Sequence, residues 1–214
     1  MAKKKQRRSY HHGNLRQALI DATLALVEEQ GPAAATIRDA AKRAGVSSGA
    51  PFRHFASRKA LMTAVAEEAM GRLRAEIAAA LGKETSDDPL VRLRAVGSGY
   101  LRWAVRNPTH FQVISDRKLI DFEGSASLRR DNDELQALMA GLLTEAQRRG
   151  LLPPHDVRTT VLLARATSYG LARMFVDGQF PSWGVAEAQA GRTMAAVMDL
   201  FIASLRKDVE AVGR

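Results

Sequence analysis

The chain has 214 residues, 46% of them hydrophobic, which is enough to bury a substantial core. It contains no cysteine, which excludes disulfides, thiolate zinc sites, iron–sulfur clusters and a cysteine nucleophile. The formal net charge of +9 is uneven, with +8 on residues 1–60 and +1 on residues 61–214. This asymmetry is typical of a polyanion-binding head on a neutral body, although a basic start that only aids solubility would produce it too.

The composition favours helices throughout. Ala, Leu, Arg and Glu dominate, and β-branched residues do not alternate as they would in strands. We therefore expect an all-α fold of about nine helices. No segment reaches the ~18 uninterrupted apolar residues of a membrane span, so we expect a soluble, cytoplasmic protein with no membrane partner.

Three short helices are predicted after a basic, disordered arm over residues 1–13. Asn14, Thr36, and Ser47 or Ser48 have side chains that can cap helix N-termini. Gly31 and Gly45 are typical of helix ends. The predicted helices cover 15–30, 37–44 and 48–55, and the last of them tolerates Pro51 in its first turn.

Six further helices are predicted from apolar spacing, caps and breakers. Ser57 caps the first of them, and Asp88 precedes the second. A loop is expected over 117–127, where Gly124 lies among serines. The predicted helices cover 58–81, 89–106, 110–115, 131–149, 156–177 and 184–207.

Residues 36–55 have the pattern of a helix-turn-helix. Ile37, Ala40 and Val46 are small or aliphatic where two short helices must cross closely. Gly45 lies where the tight turn needs a positive φ. Such a unit presents its second helix, here 48–55, to the major groove of DNA while the first helix crosses the backbone.

Three elements of this segment resemble the TetR family of bacterial regulators: Ala44-Gly45-Val46-Ser47, Phe52-Arg53-His54-Phe55 and Lys59. The resemblance covers residues 14–65, and the Asn107-Pro108 segment is similar to one found in several members. Residues Tyr10 to Leu15 and Gly49 to Phe52 resemble a subgroup named for a C-terminal Trp-His-Gly motif. At the place of that motif this chain has Ser168-Tyr169-Gly170.

The resemblance implies a DNA-contacting role for ten residues. Thr36, His54 and Lys59 would contact phosphates, and Arg53 would bond to guanine in the major groove. Phe52 replaces the usual Tyr, whose hydroxyl binds a phosphate, and the arm with Lys3, Lys4, Lys5, Arg7 and Arg8 is the candidate replacement. A plain three-helix core with a solvated basic face is the alternative. The ten predicted residues are Thr36, Arg38, Ser47, Ser48, Gly49, Ala50, Phe52, Arg53, His54 and Lys59.

The last two predicted helices carry small residues at close-packing spacing, which indicates either a two-fold dimer interface or packing within one chain. For the interface we expect Val161, Ala164, Ser168, Ala172, Phe175, Ala188, Gly191, Ala195, Met198, Phe201 and Leu205.

The middle helices carry candidates for a ligand cavity, although aromatic stripes at helical spacing more often form ordinary core. Arg165 and Tyr169 lie one turn apart in an apolar stretch, where a charge needs an acidic or carbonyl partner. A salt bridge between helices would satisfy Arg165 equally well. For an apolar or amphipathic effector we expect Tyr100, Trp103, Phe111, Phe122, Leu142, Arg165 and Tyr169.

By resemblance, the chain is expected to be a repressor that binds a palindromic operator as a homodimer and is released by a small molecule. Its domains would be a helix-turn-helix domain over 14–60 and a ligand-binding and dimerisation domain over 61–214. An architectural DNA-binding protein without an effector is the alternative.

We expect no catalytic residues, cofactor or metal. An enzyme is disfavoured because His11-His12, Gly97-Ser98-Gly99 and Asp131-Asn132-Asp133 match metal, dinucleotide and calcium motifs only weakly.

Overall fold

The computed structural model describes residues 14–206, and all regular structure within that range is helical. The predicted arm over 1–13, including its five basic residues and His11-His12, lies outside the described residues. The all-α expectation is confirmed, with eight α-helices in the described range rather than about nine. They are α1 (Leu15–Gln30), α2 (Ile37–Arg43), α3 (Arg58–Lys83), α4 (Pro89–Arg106), α5 (Pro108–Ser115), α6 (Ala126–Arg148), α7 (Val157–Val176) and α8 (Ala190–Leu205).

Side-chain caps begin most of these helices where the sequence predicts them. Asn14 Oδ1 accepts a hydrogen bond from the backbone N–H of Gln17 at 3.2 Å. Ser57 Oγ accepts from the N–H of Ala60 at 3.1 Å. Each cap satisfies a backbone donor that the first helical turn leaves free. Thr36, Asp88 and Asp156 cap α2, α4 and α7 in the same way.

The predicted third helix over 48–55 is wrong as an α-helix. This segment forms a 3₁₀ turn over Ala50–Arg53, with single turns on either side. Gly49 and Pro51 are the physical reason: glycine has low helix propensity, and proline has no N–H to donate to an α-helical ladder.

Two later helices begin elsewhere than predicted. α6 begins at Ala126 rather than at Asp131, because Ser125 Oγ accepts from the N–H of Leu128 at 3.2 Å and caps it. The final helix begins at Ala190 rather than near Gly184, whose φ of 75° is left-handed. The intervening chain forms two 3₁₀ turns, Phe180–Trp183 and Glu187–Gln189.

α4 is the central helix of the body (α4–α8), and it contacts α3, α6, α7 and α8. Its contact with α3 is especially close at Gly99, where an added Cβ would lie 3.0 Å from the Cα of Ile77. A larger residue would force the two backbones apart, so α3 and α4 are packed as one unit.

The head (α1, α2 and the 3₁₀ turn) packs on the first turns of α3. Arg58 of α3 donates hydrogen bonds to the carbonyls of Pro32 and Ala35, in the loop between α1 and α2. A continuous buried core runs from Leu19 in the head to Leu205 in the body. α3 therefore connects the two parts both covalently and by packing.

Candidate nucleic-acid interface and ligand cavity

The turn after α2 has the geometry that a helix-turn-helix requires. Gly45 has a φ of 71°, as predicted, and its N–H donates to the carbonyl of Lys42 at 3.1 Å. The N–H of Val46 donates to the carbonyl of Ala41 at 3.0 Å, which completes a Schellman motif. The chain thereby reverses sharply into the 3₁₀ turn.

Most residues predicted to contact DNA lie on the outer surface of the head. Phe55 and Leu61 are buried and belong to the core. Ala50 is half-buried. Phe52 is 53% exposed, which is unusual for a side chain of its size. The residues that are exposed are Thr36, Arg38, Ser47, Ser48, Gly49, Phe52, Arg53, His54 and Lys59.

The cations of this surface are largely free of carboxylates. Within residues 14–206, neither Arg38 nor Arg53 has an ion pair. Lys59 Nζ lies 3.9 Å from the carboxylate of Asp121, and both side chains are more than half exposed, so solvent screens this pair. These positive charges are available to a polyanion.

Thr36 is less free than the sequence suggests. Its Oγ1 accepts from the N–H of Asp39 at 3.1 Å and lies 2.5 Å from the Asp39 carboxylate, to which it donates. The hydroxyl predicted to contact a phosphate is therefore occupied as a helix cap, beside a negative charge.

A cavity of about 200 Å³ lies among α3, α4, α5, α6 and α7. Tyr100, Trp103, Phe122 and Arg165 line it, as predicted. Phe111, Leu142 and Tyr169 do not line it. Instead, Phe111 and Tyr169 form an aromatic layer behind Trp103, with ring centroids 5.7 Å apart. Sequence reasoning misses several further lining residues: Ile114, Ser115, Arg117, Asn132, Leu135, Gln136, Val161 and Leu162.

Two arginines that line this cavity make cation–π contacts with aromatic rings. The guanidinium carbon of Arg117 lies 3.4 Å from the ring centroid of Phe122. That of Arg165 lies 5.3 Å from the centroid of Tyr100 and 5.7 Å from that of Tyr169. Burial raises the pKa of Tyr100, against the opposing effect of Arg165, so its hydroxyl stays neutral near pH 7.

The wall of the cavity holds one unsatisfied donor. The indole Nε1–H of Trp103 is buried and has no hydrogen-bond partner within the described range. A buried donor without an acceptor costs about 1–3 kcal/mol, so the Trp103 Nε1–H is an energetically unfavourable feature of the protomer.

α5 connects the cavity to the head. Ile114 and Ser115 at its C-terminal end line the cavity. His110, one turn earlier, is buried with its Nε2 atom 3.5 Å from the carboxylate of Glu68 on α3. That carboxylate accepts a hydrogen bond at 2.8 Å from Gln17 of α1. Two part-buried contacts of Glu68 thus join α5, α3 and α1: a hydrogen bond from Gln17 and a longer contact with His110 that is not a hydrogen bond.

The small-residue faces of α7 and α8 mostly point into their own chain. The small side chains let α7 and α8 approach α4 closely. Residues buried in this way are not accessible to a second protomer, so they do not form the predicted dimer contact. The buried residues are Val161, Ala164, Ser168, Ala172, Met198, Phe201 and Leu205. Phe175 is half-buried, whereas Ala188, Gly191 and Ala195 are exposed.

The opposite sides of these helices carry apolar side chains that the protomer leaves uncovered. Leu163 is 50% exposed on α7, and Leu200 is 70% exposed on α8. Ala166, Ala196 and Ala203 are exposed on the same two helices. We call these five residues the outer face.

The motifs considered for other functions lie inside helices. Gly97-Ser98-Gly99 belongs to α4 and Asp131-Asn132-Asp133 to α6, so neither forms a phosphate or calcium loop. Over residues 14–206, no three His, Asp or Glu side chains are grouped to hold a metal ion. None of the helices described there is long and apolar enough to cross a membrane.

Both parts of the chain match known protein families. A model described as bacterial regulatory proteins of the tetR family matches residues 19–65. A second, described as the C-terminal domain of tetracyclin repressor-like proteins, matches residues 93–201. The HTH-type transcriptional regulator BetI of Stenotrophomonas maltophilia is 32% identical over 165 residues, which cover 76% of this chain and 78% of that protein.

Solved structures share the fold. A Rhodococcus sp. RHA1 protein described as having unknown function superposes with a TM-score of 0.76 at 27% identity, covering 94% of this chain and all of that one. The TetR family transcriptional regulator PfmR of Thermus thermophilus superposes with a TM-score of 0.69 at 20% identity, covering 87% of this chain and 95% of that one.

Proposed function

The chain belongs to the TetR family of transcriptional regulators, which bind DNA through a helix-turn-helix, and we propose that it is a repressor that binds a palindromic operator as a homodimer. We propose further that a small molecule in the body releases the DNA, and that the protein has no enzymatic activity. The DNA-binding domain would cover residues 14–60 and the effector and dimerisation domain 61–214. Such a protein acts on DNA in the bacterial cytoplasm.

One observation supports DNA reading most directly: the segment from Ser47 to His54 projects outward with unpaired cations on and beside it. Ser47 and Ser48 would donate or accept hydrogen bonds at base edges, and Gly49 and Ala50 would permit close approach to a thymine methyl. Arg53 would bond to guanine O6 and N7, as arginine side chains can. Arg38, His54 and Lys59 would contact phosphates. We assign Thr36 to capping α2, with any phosphate contact secondary.

Dimerisation would place two heads on one operator. Isolated exposed leucines are ordinary, but the outer face repeats along two adjacent helices. Pairing with the same face of a second protomer would bury it in a four-helix arrangement, with half-sites about 34–36 Å apart on the DNA. Of the interface residues predicted from sequence, the exposed Ala188, Gly191 and Ala195 remain candidates for direct contact.

Release by an effector requires that the ligand favour one of two arrangements of the head. We propose that occupancy of the cavity shifts α5 through Ile114 and Ser115. The shift would reach α1 through His110, Glu68 and Gln17, and would tilt α3, which carries the head. A ligand that swings the equilibrium fully must prefer the released arrangement by about 10⁴-fold.

The test of DNA reading is selection of bound sequences from a random DNA pool with purified protein. Recovery of a two-fold symmetric site supports the paired repressor. Recovery of no consensus, with steep salt dependence, indicates the architectural alternative instead.

Two variants then assign roles within the recovered site. Arg53→Ala should relax preference at one base pair at a cost of about 1–3 kcal/mol. Lys59→Ala should weaken all sequences alike and reduce the salt slope by about one. Equal losses from both variants on every sequence would contradict the assignment.

A further inference from the structure

The chemistry of the cavity specifies a class of ligand. We infer that it binds a small monocarboxylate whose apolar body is about as large as a benzene ring, with the carboxylate held by Arg117 and Arg165. This inference rests on the effector site proposed above. It depends on three features of that site: the unpaired arginines, the absence of lining acids and the volume.

Arg117 and Arg165 line the cavity, are also exposed to solvent, and have no acidic partner among residues 14–206. Within residues 14–206, neither forms a salt bridge, whereas Arg74 lies 2.8 Å from Asp131 and Arg102 lies 3.0 Å from Glu76. Aromatic rings hold the two guanidiniums in place by cation–π contacts, and Arg165 also donates a hydrogen bond to the Tyr100 hydroxyl. A guanidinium has five N–H donors, so others remain for a ligand. Both groups are therefore positioned but not neutralised.

The two positive charges act on each other at the cavity. Burial lowers the pKa of Arg117, and the charge of Arg165 lowers it further, while Glu123 opposes them. No Asp or Glu lines the cavity, so its field is positive. An anion relieves this repulsion, whereas an ammonium ligand would add to it. Arginine is also well suited to bidentate recognition of a carboxylate.

Neutral polar groups complete the polar side. Asn132 and Gln136 lie one turn apart on α6, and Ser115 ends α5; all three line the cavity. None of their side chains forms a hydrogen bond in the described part of the chain. Amide and hydroxyl donors can satisfy the remaining lone pairs of a carboxylate.

The rest of the lining is apolar and limits the body of the ligand. Met70, Leu73, Leu135 and Met139 form much of it. A dry apolar cavity of about 150 Å³ is enough for benzene, and this one has about 200 Å³. A smaller pocket of about 50 Å³ adjoins it across Tyr100 and Arg165. A ring with a short acidic chain fits these volumes better than a long lipid.

The experiment compares three probes that share one apolar body. 3-Phenylpropionate, 3-phenylpropanamide and 3-phenylpropylamine have an anionic, a neutral and a cationic head. Trp103 lines the cavity and Trp183 is the second of the two tryptophans in the chain, so Trp183→Phe makes fluorescence report on Trp103 alone. We expect saturable binding of the carboxylate at least about tenfold tighter than of the amide, and weakest binding of the amine.

Matched variants identify the head group's partners. Arg165→Gln and Arg117→Gln should each weaken the carboxylate by about tenfold or more, since hydrogen bonds to charged groups contribute about 1.5–3 kcal/mol. The amide should change less than about twofold. Arg129→Gln removes the same charge from the exposed surface of α6, away from the cavity lining, and should leave all three affinities unchanged.

Equal affinity for carboxylate and amide, preference for the amine, or no saturable binding of any probe would overturn the inference. Insensitivity of the carboxylate to both arginine variants would overturn it as well. Operator release is measured separately. If the carboxylate binds but DNA affinity is unchanged, the proposed release by an effector is wrong and the ligand class is supported. If only a neutral molecule releases the DNA, the ligand class is wrong and the proposed release by an effector is supported.

Discussion

Phe52 lies on the surface proposed to face DNA, as a large exposed ring without a hydroxyl. If the family's usual tyrosine binds a phosphate at this position, Phe52→Tyr should restore that contact. We expect about a fivefold gain in affinity, equal for operator and non-operator DNA, because one hydrogen bond contributes about 1 kcal/mol. Titration of labelled DNA at fixed salt measures it. Phe52→Leu is the control, and a gain confined to the operator would contradict a phosphate contact.

His110 gives the protein a pH dependence near neutrality. Burial and Arg72 lower its pKa, against Glu68 and Asp21. The unfolded chain therefore binds a proton near pH 6.5 that the folded chain resists. Stability is fully present above that pH and falls as the pH decreases through it. The lowered pKa of Glu68, where hydrogen bonds from Gln17 and Arg72 outweigh burial, affects stability only at lower pH.

Urea unfolding between pH 7.5 and pH 5.5 checks this expectation. The free energy of unfolding should decrease across the interval, and His110→Asn should flatten the decrease. The exposed His155→Asn variant should keep the slope of the parent protein. An unchanged slope in His110→Asn would show that another group titrates.

Helical spacing in the sequence predicts cavity-lining residues that lie on helices, but it does not predict those that lie in loops. Arg165 stands out because it interrupts an apolar helical stretch. Arg117 lies in an irregular loop, where no periodicity relates it to a cavity. Its proximity to Arg165 arises only when α5 and α7 pack around the same space.

Helices α3 and α4 approach each other closely at Gly99. A methyl group there would lie 3.0 Å from the Ile77 Cα and 3.2 Å from the Glu76 carbonyl, and backbone atoms move less readily than side chains. We expect Gly99→Ala to destabilise by about 1–3 kcal/mol. Gly71→Ala in α3, where an added methyl meets nothing within 4 Å, should stabilise by about 0.5–1 kcal/mol. Thermal and urea unfolding give both values, and stabilisation by Gly99→Ala would show that the helices can separate freely.

Local sequence signals predict that a helix is present more reliably than they predict where it begins and ends. The caps at Asn14, Thr36 and Ser57 act within three residues, so the sequence predicts them correctly. α6 begins earlier than predicted because Ser125 forms two hydrogen bonds through its hydroxyl. It caps the helix, and it donates to the carboxylate of Glu67 on α3 at 2.8 Å. The contact between Ser125 and Glu67 joins residues that are far apart in sequence, so the spacing of apolar residues does not predict it.

For the molecule as a whole, the proposed homodimer depends on the outer face. Leu200→Glu replaces a side chain that is 70% exposed in the protomer, so the fold of each chain should survive. We expect a monomer by sedimentation and operator affinity reduced by about a hundredfold or more, because the second half-site loses its linked partner.

Ala196→Glu on the same face should act in the same direction, and Ala78→Glu on the exposed surface of α3 is its control. A dimeric Leu200→Glu protein with unchanged operator affinity would place the interface elsewhere.

Spacing of small residues predicts close helix packing without saying which helix is the neighbour. Ala164 and Met198 lie against α4 of their own chain and Ala172 is buried, although the same pattern would suit a partner. Only the assembled body shows which side of α7 and α8 is left uncovered.

The uninterrupted run of α3 has a mechanical consequence. From Leu73 at the cavity to Arg58 beneath the head, the helix is about 22 Å long at 1.5 Å per residue. As a stiff lever arm, it would convert a rotation of about 5° at the cavity into about 2 Å of travel at each head. Two heads moving oppositely would change their separation by about 4 Å, more than a hydrogen bond to a base can stretch. A small rotation at the cavity would therefore be enough to misalign the proposed dimer on DNA.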